Sequence, residues 1–94
     1  MLESDPATVE TCAELAWKLS NLAPKTVQNY RNAYRKNARP TIGHKFLSEV
    51  STTDLLKVLA PLTPQTYFQT LMAVRFIFRE AMVMGFIHSS PALS

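Results

Sequence analysis

The sequence predicts an all-α domain, a compact bundle of four main helices. Three observations carry that expectation. The 94 residues include only two glycines, Gly43 and Gly85, so the long segments between turn signals read as helices, not as many short strands. Apolar residues recur at helical spacing in four separate stretches. Prolines stand at the heads or tails of those stretches, where they start or stop helices. Five Phe, three Tyr and one Trp supply the side chains of one modest core, fitting a single domain.

The first helix is expected to start near Asp5-Pro6, a capping residue followed by a proline suited to the first helical position. Val9, Cys12, Ala13, Ala16 and Leu19 form its apolar face, with Trp17 at the edge as a packing anchor. A break at Ser20-Asn21-Leu22-Ala23 precedes a second helix, which Pro24 opens and which runs to about Asn37. Its buried side is Val27, Tyr30, Tyr34 and Ala38. Arg39 to His44 reads as a loop, because Pro40 ends the preceding helix and Gly43 supplies a turn. Lys45 to Val50 is short and irregular, anchored by Phe46, Leu47 and Val50. Ser51 or Thr52 caps a third helix, with Asp54 in its first turn. Leu55, Leu56, Val58 and Leu59 give its apolar surface, and Pro61 stops it. Thr63-Pro64 starts the last helix, which runs to about Met84 before Gly85. Tyr67, Leu71, Val74, Phe78, Ala81 and Met82 form its core face, with Met72, Phe76 and Val83 opposite.

The lone Cys12 excludes an internal disulfide framework and points to a reduced, cytoplasmic setting. His44 and His88 are far apart and Cys12 lacks a zinc-type partner, so no metal or other cofactor is expected. Apolar runs such as Leu71-Met72-Ala73-Val74 are too short to span a membrane. The acidic start, Glu3 and Asp5, argues against a targeting leader.

The net charge of +3 says little by itself, but its distribution is informative. No acid occurs between Glu14 and Glu49, and that gap holds Lys18, Lys25, Arg31, Arg35, Lys36, Arg39 and Lys45, seven of the ten basic residues. Such a block suits a polyanion, most often nucleic acid, and equally suits a plain solvated face. On the second helix Lys25, Asn29, Asn32 and Lys36 fall in one narrow arc, flanked by Gln28 and Arg35, with Arg31 at the apolar border. Lys25 and Thr26 sit at that helix's N-terminus, where free N–H groups and the dipole favour a phosphate. Gln65 and Thr66 hold the same position on the last helix. Asn29, Asn32, Gln65 and Gln69 are candidates for base edges, and Lys45 for a phosphate.

Three motifs carry a resemblance. Leu22-Ala23-Pro24-Lys25-Thr26 followed by Tyr30 is similar to an S-x-K-T-x-x-x-Y pattern, with Ala23-Pro24 where the Ser usually stands. Pro40-Thr41-Ile42-Gly43, then Leu47, Val50, Ser51 and Asp54-Leu55, is similar to P-x-x-G-x-x-x-L-x-x-[IV]-[ST]-x-x-D-[LI]. Phe78, Ala81, Gly85-Phe86-Ile87 and Ser90-Pro91-Ala92 are similar to F-x-x-A-x-x-x-G-x-I-x-x-[NS]-P-A. In this order they resemble the N-terminal core-binding, SAM-like domain of phage-type tyrosine recombinases. That resemblance implies a single core-binding domain over 1–94, with a helical core at about 6–88 and a linker starting at 89–94. It implies a non-enzymatic module that grips duplex DNA at the core recombination site during integration or excision. The implied partners are duplex DNA, a catalytic domain of the same parent chain beyond Ser94 and other recombinase protomers. The implied setting is the cytoplasm, on a chromosome, in a bacterial or phage-encoded protein. The other reading is a helical protein-interaction domain that uses Met72, Phe76 and Val83.

Overall fold

A computed structural model describes residues 7–89. Asp5 and Pro6, at the expected head of the first helix, and Ser90 to Ser94 lie outside them. Helix α1 spans Val9–Leu19, with Thr8 as its cap: the Thr8 hydroxyl oxygen accepts from Thr11 N–H at 3.1 Å. The three other leading N–H groups of α1 also find acceptors. Val9 donates to the Lys45 carbonyl, Glu10 to that of Gly43 and Cys12 to that of Thr8, at 2.9, 3.0 and 3.0 Å. A helix start at Val9 thus has every first-turn donor satisfied by the Gly43–Lys45 turn and by Thr8.

Helix α2 covers Pro24–Ala33, continues through a π-helical turn at Tyr34–Ala38, and passes into a short α3 at Arg39–Ile42. The expected loop at 39–44 is therefore helical as far as Ile42, and Pro40 does not end the helix. The π turn explains how. Arg39 N–H reaches back to the Tyr34 carbonyl, so the ladder is already shifted by one residue where Pro40 lacks a donor. Burial favours the continuation, since Tyr34, Ala38 and Ile42, spaced by four, are all fully buried. With α2 and α3 as one rod, the described residues form four main helices. A 3₁₀ turn at Leu47–Glu49 leads to α4, Thr52–Leu59, and then α5, Pro64–Val83.

Gly43 is in the right-handed region, φ −58° and ψ −34°, so it is not a turn glycine in the left-handed sense. Its role is close approach. A Cβ here would lie 2.7 Å from the Arg39 carbonyl oxygen, 2.9 Å from Arg39 Cγ and 3.2 Å from the Tyr34 hydroxyl. Gly43→Ala would gain about 0.4–1 kcal/mol from a less free unfolded chain. Overpacking against backbone costs about 1–3 kcal/mol and wins. The variant is expected to have a lower Tm by thermal unfolding.

Ser51 caps α4 reciprocally: its hydroxyl oxygen accepts from Asp54 N–H at 3.2 Å and its own N–H donates to Asp54 Oδ2 at 3.0 Å. That backbone bond, helped by Lys45 at 3.9 Å, holds the Asp54 carboxyl below its ordinary 3.8. A carboxylate whose folded pKa is depressed stabilises the fold above its unfolded value and ceases to as pH falls through the folded one. Urea midpoints measured from about pH 5 downward should therefore fall on acidification, and Asp54→Asn should flatten that limb. At its other end, α5 stops at Gly85 with φ +82°. Phe86 N–H bonds the Ala81 carbonyl and Gly85 N–H that of Met82, closing the helix as a Schellman motif.

The core lies between α5 and the other helices. On α5 the buried residues are Thr70, Ala73, Val74, Ile77, Phe78 and Ala81. This face is rotated from the expected one: Tyr67 and Leu71 are only partly buried and Met82 is 37% exposed. On α1, Trp17 is buried and Leu19, the last helical residue, is 64% exposed. On α4, Leu56 points outward, and in the preceding segment Phe46 is exposed while Leu47 and Val50 are buried. Trp17 stacks on Phe76 with ring centroids 5.6 Å apart and meets Tyr34 at 6.3 Å; Tyr30 meets Phe76 at 5.9 Å.

Candidate nucleic-acid interface

Two cross-contacts orient the surface. Tyr30 of α2 meets Phe76 of α5, and Asn37 Nδ2 donates to Thr70 Oγ1 at 2.9 Å. Rising numbers on one element meet falling numbers on the other, so α2 and α5 run antiparallel. The first turns of α5 therefore lie beside the Lys36 end of α2. Asn37 also satisfies the fully buried Thr70 hydroxyl, which would otherwise be a costly orphan.

Lys25, Asn29, Asn32 and Lys36 are all exposed. Among the described residues none of the four side chains makes a hydrogen bond or an ion pair. Lys36 lies inside the π turn and still faces solvent. Arg35 and Arg39, on the flank toward α1, are countered instead: Arg35 Nη2 is 3.2 Å from Glu14 Oε2, and Arg39 Nε is 3.3 Å from Glu10 Oε1. Both pairs are largely exposed and contribute about 0–1 kcal/mol each. Lys45 is part-buried, with its carbonyl taken by Val9 and its amine near Asp54. Its charge faces α4, not the α2 stripe. Arg31 is half-buried and makes no ion pair among the described residues.

The helix starts differ. Ala23 gives α2 no side-chain cap, and Thr63 gives none to α5. The N–H groups of Lys25, Thr26, Gln65 and Thr66 have no acceptor among the described residues, unlike the satisfied start of α1. Thr63 Oγ1 donates to Thr66 Oγ1 at 3.1 Å, leaving the Thr66 hydroxyl proton available. Gln65 and Gln69 are exposed on α5. The structure thus gathers Lys25, Thr26, Asn29 and Asn32 on α2 and Lys36 on the π turn that continues it, with Gln65, Thr66 and Gln69 near one end.

Arg75 and Arg79 lie outside the acid-free gap between Glu14 and Glu49. Both are exposed, four residues apart on α5, and unpaired among the described residues. The signal was available, because residues 55–79 also contain no acid.

The residues 9–94 match the family described as phage integrase central domain. The chain belongs to that family. Comparisons with curated proteins and with solved structures gave no match. The phage integrase central domain is thus a module related to tyrosine recombinases, and in this chain it is all-helical.

The tyrosines of this integrase domain serve packing. Tyr34 is fully buried and donates to Glu10 Oε1 at 2.7 Å. Burial first, then that bond, pushes its phenol well above the ordinary range. Burial likewise pushes the Cys12 thiol up to about 11, with Glu80 adding to the effect. Phe76 of the alternative Met72, Phe76 and Val83 surface is taken up by Trp17 and Tyr30, while Val83 remains 74% exposed. Among the described residues no helix is long and apolar enough to cross a membrane.

Proposed function

We propose that this domain is the DNA-binding module of a site-specific tyrosine recombinase, holding duplex DNA at the core recombination site. A catalytic domain of the same parent chain would cut and rejoin the strands, and other recombinase protomers would complete the assembly. The module itself would act in the cytoplasm on chromosomal or phage DNA. The observation that carries this reading is the acid-free stripe from Lys25 to Lys36, which is exposed and, among the described residues, free of carboxylate partners.

The spacing suits a duplex. Lys25 and Lys36 are eleven positions apart, roughly 16 Å along a helix axis. The major groove is about 12 Å wide and admits a helix. Lysines at the two ends would reach phosphates on either side, and Asn29 and Asn32 between them would face base edges, where an amide pairs with adenine. Lys25 and Thr26 add free N–H groups at the positive end of the helix dipole. Gln65, Thr66 and Gln69 extend the contact from α5.

Titrating duplex DNA into isotope-labelled protein tests this. Amide shifts should centre on residues 25–36 and 65–69, and affinity should fall steeply as salt rises. Shifts confined to the Val83–Phe86 end, or affinity indifferent to salt, would refute the assignment.

A further inference from the structure

Beside the stripe, between the end of α1 and the flank of α2, lies a groove of about 400 Å³ lined by Trp17, Ser20, Leu22, Pro24, Val27, Gln28 and Arg31. Among the described residues its lining contains no carboxylate, and Arg31 is its only charged member. Two N–H groups of its lining residues, Trp17 Nε1 and Arg31 Nε, are shielded from solvent and have no acceptor among the described residues. Trp17 is itself only 7% exposed. A shielded donor without a partner is costly, so two of them among the residues of one groove point to an acceptor there. The indole N–H donates only, and guanidinium accepts nothing. Ser20 Oγ already accepts from Leu22 N–H at 2.9 Å, which leaves its proton to donate as well.

We propose that this groove binds an oxyanion, specifically a backbone phosphate of duplex DNA. The Arg31 fork matches two oxygens of one phosphate, and Trp17 and Ser20 supply further donors. Phosphate is favoured because the groove shares Pro24 with the first turn of α2, where the Lys25 and Thr26 N–H groups have no acceptor among the described residues. The site thereby continues the stripe around the start of the helix. The inference rests on the DNA reading for the source of the phosphate, and on the groove alone for its chemistry.

Trp17 is the single tryptophan, so its indole N–H gives one isolated nitrogen-15 cross-peak. The labelled protein is titrated with duplex DNA and, separately, with inorganic phosphate at constant ionic strength, with chloride and acetate as references. The indole peak should move and saturate with DNA and with phosphate, more weakly with acetate and not with chloride. Arg31→Gln should weaken the phosphate response about tenfold or more, the effect of losing a charge-assisted hydrogen bond. Trp17→Phe keeps a ring on Phe76 and removes the donor; by calorimetry it should also weaken phosphate binding, at an unfolding midpoint that shows the domain folded. An indole that stays still while the α2 stripe responds to DNA would overturn the groove and leave the DNA reading intact. An indole that saturates with phosphate in protein that ignores DNA would keep the oxyanion site and remove DNA as its source. Acetate binding tighter than phosphate would assign the groove to a protein carboxylate instead. A linear drift equal to that in chloride would overturn the site outright.

Discussion

Tyr34→Ala is expected to leave the domain largely unfolded, whereas Tyr34→Phe is expected to fold. Tyr34 is fully buried at the centre of the packing. Its ring meets Trp17, its hydroxyl donates to Glu10, and its oxygen lies 3.2 Å from where a Gly43 Cβ would be. Truncating a large buried aromatic costs about 3–5 kcal/mol. A domain of this size has a total stability near the low end of about 5–15 kcal/mol. Removing the ring also takes away the side chain around which the π turn is wound, and with it the support for α3. Tyr34→Phe keeps the ring and loses one hydrogen bond to a carboxylate, about 1.5–3 kcal/mol at most. Glu10 keeps Arg39 at 3.3 Å, so it is not stranded. Urea unfolding should show the Phe variant with a lower midpoint and an unchanged slope, and the Ala variant with little or no native baseline. An Ala variant within 1 kcal/mol of wild type would mean that Tyr34 does not hold the core.

Most helices were legible because their ends carry local chemistry. Ser51, Thr63-Pro64, Pro24 and Gly85 act within a turn of where they stand, so neighbours in sequence suffice to place them. Pro40 misled for the same reason. The rule that proline ends a helix is local, and the forces that overrode it are not: Tyr34, Ala38 and Ile42 are buried together, and the π turn absorbs the missing donor. Their spacing of four was visible, and it outweighed the proline. The rotation of the α5 face has a similar origin. Thr70 reads as a surface residue until Asn37, thirty-three positions away, satisfies its hydroxyl. Leu19 and Leu56 fit the apolar periodicity of their helices, yet both lie where no neighbouring helix covers them.

The candidate site divides along the same line. The exposure of Lys25, Asn29, Asn32 and Lys36 follows from their position on α2 and its π-helical continuation relative to the apolar side, which helical periodicity reveals. The pairing of Arg35 with Glu14, Arg39 with Glu10 and Lys45 with Asp54 depends on how α1 and α4 pack, which periodicity cannot show. The acid-free count therefore overstated the free charge. It found seven cations in the block, and the three paired ones carry their counter-charges with them.

The unpaired lysines should then matter more than the number of charges. Each phosphate neutralised contributes about 0.9 to the slope of log affinity against log salt. The double variant Lys25→Ala with Lys36→Ala should lower that slope by about 1.8. Over a fourfold rise in salt, the wild-type advantage in affinity should consequently shrink by about tenfold, measured by fluorescence anisotropy with labelled duplex. Lys18→Ala with Lys57→Ala removes the same charge from α1 and α4, outside the stripe, and should leave the slope near wild type. That comparison separates contact from long-range attraction, because the net charge of the two double variants is equal. Equal losses from both would show that DNA responds to the total charge of the domain, and the α2 stripe would lose its claim to be the contacting face.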